Sequence, residues 1–469
     1  MNTIMKKFFF YSFIITLLFL FVFGTYLLSK DSSNILAKSI KDQIPANLKS
    51  FLKETVFFIP YTKRELKKLE IENIQIKKDL FLERAKKELY KNELDKGKVK
   101  FENYDNESYR FYSVVLPFIK SQIDLHSNKK SGYLEIYNQY IIIFFKSGKI
   151  IFIDKKDFFN EKLNFSTVKS NLNDNILFDQ KIRWTGVRDI FVDNEDIFVS
   201  ATEEIKDKCY NTSLYKSKID KKQMNFKKIY GSEECFSLDR KIEAYKYFNG
   251  YQTGGRIKSS KNKIYLTVGD YNTWEKVQDT FSSAGKILEF DKNGNNKKII
   301  SLGHRNPQGL YLNKNQNILV STEHGPQGGD EINIIKLEQD TPQNFGWPIS
   351  SYGDHYPSVP INSFTKKIAP LNKSHKEFDY IEPIKYFKKS IGISEIIQNY
   401  FTTNSYFVTS LKNQTIYEIQ LDNDLNFEKI KDEIKVNERI RDIIYDSESK
   451  CYLVFGENTP KLISMCLIN

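Results

Sequence analysis

Residues 302–348 read LGHRNPQGLYLNKNQNILVSTEHGPQGGDEINIIKLEQDTPQNFGWP. Two runs of strand-forming residues within them, 309–312 and 318–322, flank an asparagine-rich turn and predict a β-hairpin. Clusters of charged, amide and glycine residues border the hairpin at 304–309 and 323–331. Both clusters are expected at the same end of the hairpin. Because burying such groups is costly unless they are paired, we interpret this end as a functional site.

Three motifs in this stretch, RNPQGL, EHGPQGGDEIN and NFGWP, follow one another in a characteristic order and spacing. In this respect the chain resembles the soluble sugar dehydrogenases that depend on pyrroloquinoline quinone (PQQ), the glucose/sorbosone dehydrogenase family. The resemblance extends more weakly from about Tyr133 to the C-terminus. It implies an oxidoreductase that uses PQQ and calcium to oxidise an aldose or related small alcohol, with an electron acceptor that the sequence does not identify.

Beyond Lys100 the chain consists of short β-branched and aromatic runs separated by Asn, Gly, Asp and Lys. Six runs share one pattern, a strand followed after a turn by a second strand, and they cover residues 140–145, 197–202, 264–270, 318–323, 406–411 and 451–457. Irregular spacing of this kind is typical of propeller blades with insertions. We therefore predict an all-β fold, a six-bladed β-propeller over residues 101–469, with a central funnel at one end of the inner strands.

The N-terminus predicts a membrane anchor. Residues 8–28 carry no charge, and at about 1.5 Å per residue they could cross a bilayer of about 30 Å. No A-x-A cleavage site follows, so we predict an uncleaved signal anchor over residues 1–30, with a cleaved signal as the alternative. Of the net charge of +12, the first 100 residues hold +9, from 20 Lys and Arg against 11 Asp and Glu. This distribution favours a membrane surface over nucleic acid as the partner.

Residues 31–100 are rich in lysine and poor in glycine, and we interpret them as a basic helical linker. Thr62 and Glu65 have the spacing of a capping box, and apolar residues follow at near-helical intervals. A helix over residues 62–95 is predicted from this pattern. A solvated spacer is the alternative.

The four cysteines form two couples that are close in sequence, Cys209 with Cys235 and Cys451 with Cys466. Each separation could be closed by a disulfide in a hairpin, and the alternative is four buried thiols. Disulfides persist in oxidising compartments. We therefore expect a single-pass protein of the cytoplasmic membrane whose propeller lies on the periplasmic or extracellular side, in agreement with the usual location of the family.

The resemblance also implies the cofactor site. PQQ is a planar quinone with three carboxylates, which Arg side chains can bind in a bidentate manner. Arg439 and Arg441 are two apart on a predicted strand, so both can face the funnel while Ile440 enters the core. The residues that match cofactor contacts of the family are Arg305, Asn306, His324, Lys412, Arg439 and Arg441.

Two calcium sites are implied in the same way. The carbonyl groups of Gly325 and Pro326 would bind an ion next to PQQ, and Glu331 with the carbonyl group of Phe345 would hold a structural ion. Calcium prefers six to eight such oxygen ligands. A solvated turn at residues 330–331 is the alternative.

One position departs from the family pattern. The enzymes carry a general-base histidine four residues before an Arg that corresponds to Arg256, and this chain has Gln252 there. An amide has no usable basicity near neutral pH. Asp270, in a matching TVGD segment, is present but would normally assist the base.

The histidines offer no clear replacement. His304 lies in the cofactor motif, His355 is expected in a loop, and His126 and His375 are expected at the surface. Two functions therefore remain open: a membrane-anchored PQQ sugar dehydrogenase with an altered base, and a non-catalytic propeller that binds ligands.

Overall fold

The computed structural model describes residue 69 and residues 101–116, 131–172, 185–206, 209–231, 234–237 and 252–468. The predicted membrane anchor, the predicted helix over residues 62–95 and His126 lie outside the described residues. No helix within the described ranges is long and apolar enough to cross a membrane.

The regular secondary structure of the described chain is almost entirely β-strand, with three short helices. In chain order the strands are β1 (Phe101–Asp105), β2 (Tyr109–Val115), β3 (Gly132–Tyr137), β4 (Tyr140–Phe145), β5 (Ile150–Asp154), β6 (Phe165–Ser170), β7 (Gly186–Asp193), β8 (Asp196–Lys206), β9 (Cys209–Lys218), β10 (Gln223–Met224), β11 (Lys227–Gly231), β12 (Phe236–Ser237), β13 (Gly254–Ser260), β14 (Lys263–Val268), β15 (Lys286–Asp291), β16 (Lys298–Leu302), β17 (Pro307–Asn313), β18 (Ile318–Glu323), β19 (Asp330–Lys336), β20 (Gln343–Asn344), β21 (Lys385–Phe387), β22 (Ile393–Gln398), β23 (Ser405–Ser410), β24 (Thr415–Leu421), β25 (Phe427–Lys435), β26 (Ile440–Asp446), β27 (Cys451–Gly456) and β28 (Lys461–Leu467). The helices are α1 (Lys155–Phe159), α2 (Trp274–Val277) and α3 (Ser363–Ile368), and a 3-10 turn covers Lys376–Phe378.

The strands form six sheets that are arranged as the blades of a propeller. Blades 1 to 6 begin at β3, β7, β13, β17, β22 and β26, and these inner strands contact one another in that order, with β26 returning to β3. The N-terminal strands β1 and β2 pair with β28, which closes the ring. The predicted all-β, six-bladed propeller is therefore confirmed.

The six repeated runs found in the sequence are the second strands of the six blades, β4, β8, β14, β18, β23 and β27. These strands are buried on both faces because each sheet packs between two neighbours. Ile141, Ile142 and Ile143 of β4, for example, are all 0% exposed. The predicted hairpin is also confirmed, since β17 and β18 pair antiparallel on either side of the expected turn.

A buried arginine joins the blades at the centre of the ring. Arg256 on β13 forms ion pairs through Nη1 with Asp189 of blade 2 at 3.0 Å, Glu395 of blade 5 at 2.8 Å and Asp442 of blade 6 at 2.9 Å. Its Nε donates to the carbonyl group of Gln308 in blade 4 at 2.6 Å. The guanidinium also lies 5.2 Å from the ring centre of Tyr133 in blade 1. One side chain thus contacts an inner strand of every other blade.

The three carboxylates around Arg256 also bind backbone amides of neighbouring blades. Asp189 accepts from the backbone N–H of Ile257 at 2.8 Å, Glu395 from that of Leu310 at 2.9 Å, and Asp442 from that of Leu134 at 2.6 Å. The strands β7, β13, β17, β22 and β26 have bulges or irregularities in the same region. Because a bulge leaves ladder groups unpaired, these side chains replace the lost hydrogen bonds.

Both predicted disulfides are confirmed. Cys209 pairs with Cys235 and Cys451 with Cys466, with Cα–Cα distances of 5.3 and 4.4 Å. Cys451 and Cys466 are directly opposed on β27 and β28, so the second bridge joins neighbouring strands of blade 6. The described chain contains no free cysteine.

We expect Arg256→Leu to lower the free energy of unfolding by at least about 3 kcal/mol, because it leaves three buried carboxylates without their shared cation. The control is Arg110→Leu, since Arg110 pairs with Asp105 at 3.5 Å and its side chain is 63% exposed. That change should cost at most about 1 kcal/mol. Urea unfolding, monitored by tryptophan fluorescence, measures the free energy of unfolding of both variants. Equal losses would contradict a central role for Arg256.

Non-reducing peptide mapping of the full-length protein isolated from its native cells should recover the linked pairs Cys209–Cys235 and Cys451–Cys466. The bridges close loops with sequence separations of 26 and 15 residues, and each should stabilise the fold by about 3 kcal/mol. Reduction should therefore lower the urea midpoint. Recovery of four free thiols would contradict the assignment and favour a reducing compartment.

Candidate functional site

A funnel with a volume of about 990 Å³ opens where the blades converge. Every blade contributes to its wall, mostly through residues at the start of an inner strand or just after a second strand. The polar and charged residues that line it are Ser131, Tyr133, Lys146, Arg188, Gln252, Thr253, Arg305, Asn306, Gln308, His324, Gln327, Asp330, Asp354, Tyr356, Lys388, Lys389, Ser390, Lys412, Arg439, Arg441, Glu457 and Asn458.

The funnel brings together most of the site residues predicted from the sequence. These are Gln252, Arg305, Asn306, His324, Gly325, Lys412, Arg439 and Arg441. Four others, Asp270, Pro326, Glu331 and Phe345, are not among its lining residues. The positively charged members come from blades 4, 5 and 6, so segments far apart in sequence meet at one surface.

Arg305 is held rigidly although it forms no ion pair within the described chain. Its Nη1 donates to the carbonyl groups of His324 at 2.9 Å and Gly325 at 2.5 Å. Its guanidinium lies 5.4 Å from the ring centre of Trp347, and only 4% of the residue is exposed. Its charge is therefore oriented by neutral groups and remains available to an anionic ligand.

Arg439 and Arg441 face the funnel from either side of Ile440, which is 0% exposed. Arg441 Nε donates to Glu457 at 2.6 Å and its Nη1 to the side-chain oxygen of Gln308 at 2.9 Å. Arg439 lies 3.6 Å from Glu457, and 42% of its side chain is exposed. Burial opposes the charge on Glu457, but Arg441 beside it holds the pKa of Glu457 below its usual range. One carboxylate is thus shared between two arginines, which leaves a net positive charge.

His324 is the only histidine among the described residues that line the funnel. Burial and the charges of Arg305, Arg441 and Arg439 lower its pKa to about 4, against the opposing effect of Asp330. The ring is therefore neutral at neutral pH. It can form hydrogen bonds with a ligand, but it is a weak base.

Gln252 lies in the funnel wall, where the family resemblance requires a base. Its backbone has a φ of 59°, and its carbonyl oxygen accepts a hydrogen bond from the backbone N–H of Tyr271 at 3.0 Å. The side-chain Oε1 is buried and has no hydrogen-bond partner among the described residues. An unpaired buried acceptor next to a funnel is suited to receive a hydrogen bond from a ligand hydroxyl.

Asp270 does not line the funnel, and the expectation that it assists a base there gains no support. The residue is 0% exposed, its Oδ2 accepts from the indole N–H of Trp347 at 2.7 Å, and its Oδ1 accepts from the backbone N–H of Asn272 at 2.8 Å. Burial raises its pKa to about 6. Because Trp347 packs against Arg305, Asp270 supports the funnel wall from behind.

The predicted structural ion site shows a different arrangement. Glu331 and Phe345 do approach each other, but His375 lies between them: its Nδ1 is 2.9 Å from the carbonyl oxygen of Phe345, and its Nε2 is 3.8 Å from Glu331. His375 is 1% exposed, so its predicted surface location is wrong. The alternative of a solvated turn at residues 330–331 is also wrong, because both residues are buried in β19.

Several residues of the funnel were missed in the sequence. Lys146 and Glu457, which were missed, directly follow second strands, and the predicted residues His324 and Lys412 lie within two residues of such strand ends. The residues that follow the six repeated runs were therefore the available signal. Arg188 gave no such signal. It lies near the start of β7, and only the packing of blade 2 into the ring directs it to the funnel.

Comparisons with known proteins agree with this geometry. The sequence matches the family model for glucose/sorbosone dehydrogenases over residues 135–464. It is 25% identical to an aldose sugar dehydrogenase of Escherichia coli (strain K12) over 241 residues, 47% of this chain and 61% of that protein. It is 31% identical to quinoprotein glucose dehydrogenase B of Acinetobacter calcoaceticus over 135 residues, 22% of this chain and 27% of that protein. The matches thus span less than two thirds of these relatives.

Solved structures show the same fold. The apo form of the soluble aldose sugar dehydrogenase from Escherichia coli superposes with a TM-score of 0.57 at 20% identity, over 71% of this chain and 94% of that one. The PQQ-bound aldose sugar dehydrogenase from Streptomyces coelicolor gives 0.53 at 15% identity, over 76% and 98%. Because the family model covers most of the chain, from the first blade to the last, this protein belongs to the glucose/sorbosone dehydrogenase family.

Proposed function

We propose that the funnel binds PQQ and that the protein oxidises an aldose or a related small alcohol there. The observation that carries this proposal is the convergence of Arg305, Lys412, Arg439 and Arg441 on a single funnel. The PQQ-bound structure of a relative with the same fold supports it.

The residues present fit a planar tricarboxylate. Arg305 and Arg441 are fixed by hydrogen bonds and offer oriented guanidinium groups, whereas Lys412 and Arg439 are more exposed and supply charge at the funnel wall. A volume of about 990 Å³ is sufficient for a cofactor together with a small substrate. Asn306 and the neutral ring of His324 add hydrogen-bonding groups.

The fit to calcium differs between the two implied sites. The carbonyl oxygen of Pro326 already accepts from Tyr356 at 3.1 Å and from Ser390 at 3.3 Å, and that of Gly325 accepts from Arg305. The oxygen of Gly325 retains one lone pair, whereas that of Pro326 would have to give up one of its two hydrogen bonds, so an ion here would need further oxygens from the cofactor or water. At the second site His375 contacts the carbonyl oxygen of Phe345 and leaves it one lone pair, so an ion there would need oxygens in addition to those of Phe345 and Glu331.

Gln252 defines what the chain itself contributes to the reaction. Bound PQQ supplies a quinone that takes up hydride from a sugar carbon. The proton of the substrate hydroxyl must then leave, and Gln252 can orient this hydroxyl through Oε1 but cannot accept its proton. Asp270 is buried behind Trp347, and His324 is a weak base. The lack of a strong base among these three residues favours slow turnover. It is also the observation that supports the alternative function, a propeller that binds ligands without catalysis.

We also propose that the protein is anchored in the cytoplasmic membrane by residues 1–30 and exposes the propeller on the periplasmic or extracellular side. The uncharged run over residues 8–28 supports the anchor. The two disulfides support the oxidising compartment, since such bonds are rare in the cytoplasm.

The full-length protein should bind PQQ in the presence of calcium, as measured by titration calorimetry. Replacing both Arg439 and Arg441 by Ala should weaken binding by about 3 kcal/mol or more, because each charged hydrogen bond contributes about 1.5–3 kcal/mol and Glu457 is left unpaired. The control Lys366→Ala/Lys367→Ala removes two exposed charges of α3, outside the funnel, and should leave binding unchanged. No PQQ binding by the wild-type protein would contradict the cofactor assignment.

Gln252→His should raise PQQ-dependent dye reduction by about 10²-fold or more across an aldose panel, because it restores a positioned base. Gln252→Asn is the control, since it keeps an amide and should give no gain. Wild-type turnover at ordinary enzyme rates, or a Gln252→His variant that binds PQQ but gains no activity, would show that the base lies elsewhere or that the funnel does not serve oxidation.

A further inference from the structure

The described residues of the funnel carry more positive charge than PQQ requires. Among them, eight Lys and Arg side chains face three carboxylates, a difference of five charges. The four cations assigned to PQQ face a ligand with three carboxylates. The other four are Lys146, Arg188, Lys388 and Lys389, of which the last two are exposed.

Lys146 and Arg188 lie on a different part of the ring from the proposed cofactor residues. Lys146 follows β4 of blade 1 and Arg188 belongs to β7 of blade 2, whereas the PQQ set belongs to blades 4, 5 and 6. In a closed ring of six blades, blades 1 and 2 lie opposite blades 4 and 5, which carry Arg305 and Lys412, whereas blade 6 with Arg439 and Arg441 is next to blade 1. Gln252 directly precedes blade 3, so it lies between the two cationic regions along the ring.

Arg188 is held close to a glycine of the neighbouring blade. Its Nε donates to the hydroxyl group of Thr202 at 2.7 Å, and its side chain passes over Gly255, which has a φ of 115°. A Cβ atom at Gly255 would be only 2.2 Å from Cβ and 2.8 Å from Cγ of Arg188, so glycine at 255 is needed for any side chain to extend from position 188. At Gly186 a Cβ atom would be 2.4 Å from the backbone oxygen of Lys146 and 2.9 Å from its Cγ.

The guanidinium of Arg188 is incompletely paired. Within the described parts of the chain, its Nη2 atom is buried without a hydrogen-bond partner, and Arg188 forms no ion pair with a carboxylate. Burial lowers its pKa. Leaving a buried charged donor unpaired is costly, and a carboxylate or phosphate oxygen in the funnel would remove this cost.

We propose that Arg188, together with Lys146, forms an anion subsite, and that the substrate is an aldose that carries a negatively charged group, a carboxylate or a phosphate. The inference rests on the proposed function and specifies its substrate class. A neutral aldose would leave Nη2 of Arg188 without an anionic partner. An anionic sugar would pair with Arg188 across the funnel from Arg305 and Lys412, with its hydroxyl groups in reach of Gln252.

The test is titration calorimetry of the full-length protein with D-glucuronate, D-glucose 6-phosphate and D-glucose, each with and without PQQ and calcium. At least one anionic sugar should bind about tenfold or more tightly than D-glucose, and Arg188→Gln should abolish this difference. Comparison of D-glucuronate with D-glucose 6-phosphate shows whether the subsite prefers a carboxylate or a phosphate. Arg188→Lys keeps the charge and should retain part of the preference. Thermal denaturation of each variant confirms that it is folded.

Two controls separate the subsite from the cofactor residues. Lys314→Gln removes one exposed charge in the turn between β17 and β18, at the opposite end of the hairpin from the funnel, and should change nothing. Arg439→Ala/Arg441→Ala should weaken PQQ binding but preserve the preference for an anionic sugar. Equal affinity for neutral and anionic sugars, or loss of PQQ binding alone in Arg188→Gln, would overturn the inference while leaving the proposed function intact. Absence of PQQ binding with a retained, Arg188-dependent preference for anions would overturn the proposed function alone.

Discussion

The ion pairs of Arg256 are the interaction on which the rest of the propeller depends. A ring of sheets has no single core, because each blade packs only against its two neighbours. Arg256 contacts all five other blades at the axis, and its three carboxylate partners in turn bind backbone amides of adjacent inner strands. A buried charge cluster of this kind stabilises only when every member is paired. The cluster therefore restricts the positions of the blades relative to one another, next to the bulges of the inner strands.

These bulges determine the geometry of the funnel. The inner strands begin just beyond the cluster, so Arg305 of blade 4 and Arg439 and Arg441 of blade 6 are directed into one cavity. A layer of buried polar groups supports them from behind. The side chain of Asp270 binds Trp347, and Glu323 accepts from the backbone N–H of Arg305 at 2.7 Å. The cations are thus oriented before any ligand binds, which lowers the cost of ordering them on binding.

The funnel combines a retained cationic surface with the loss of an expected base. Gln252 occupies the position where proton removal is expected, and its unpaired Oε1 favours hydrogen bonding over proton transfer. At the same time Arg188 adds a charge that the proposed cofactor does not need. Contacts remote from the reacting atoms can supply binding energy that positions those atoms. Binding of an anionic substrate group at Arg188 could therefore hold the hydroxyl in place and offset part of the rate that is lost without a strong base. Recognition and catalysis in this funnel are therefore expected to differ from those of a neutral-sugar enzyme.

The sequence by itself determined the fold and most of the residues that the structure brings to the funnel and that we propose as cofactor contacts. The six repeated runs identified the second strands because strands buried on both faces are continuously apolar, and RNPQGL, EHGPQGGDEIN and NFGWP identified the family because those residues are local in sequence. Cys209 with Cys235 and Cys451 with Cys466 were also predictable, since each couple is close along the chain. Only the tertiary structure decided the roles of Arg256, Asp270, His375 and Arg188. The partners of Arg256 come from other blades. Whether a polar side chain faces a funnel, a buried partner or solvent depends on how the sheets and loops pack around the ring, which no local pattern encodes.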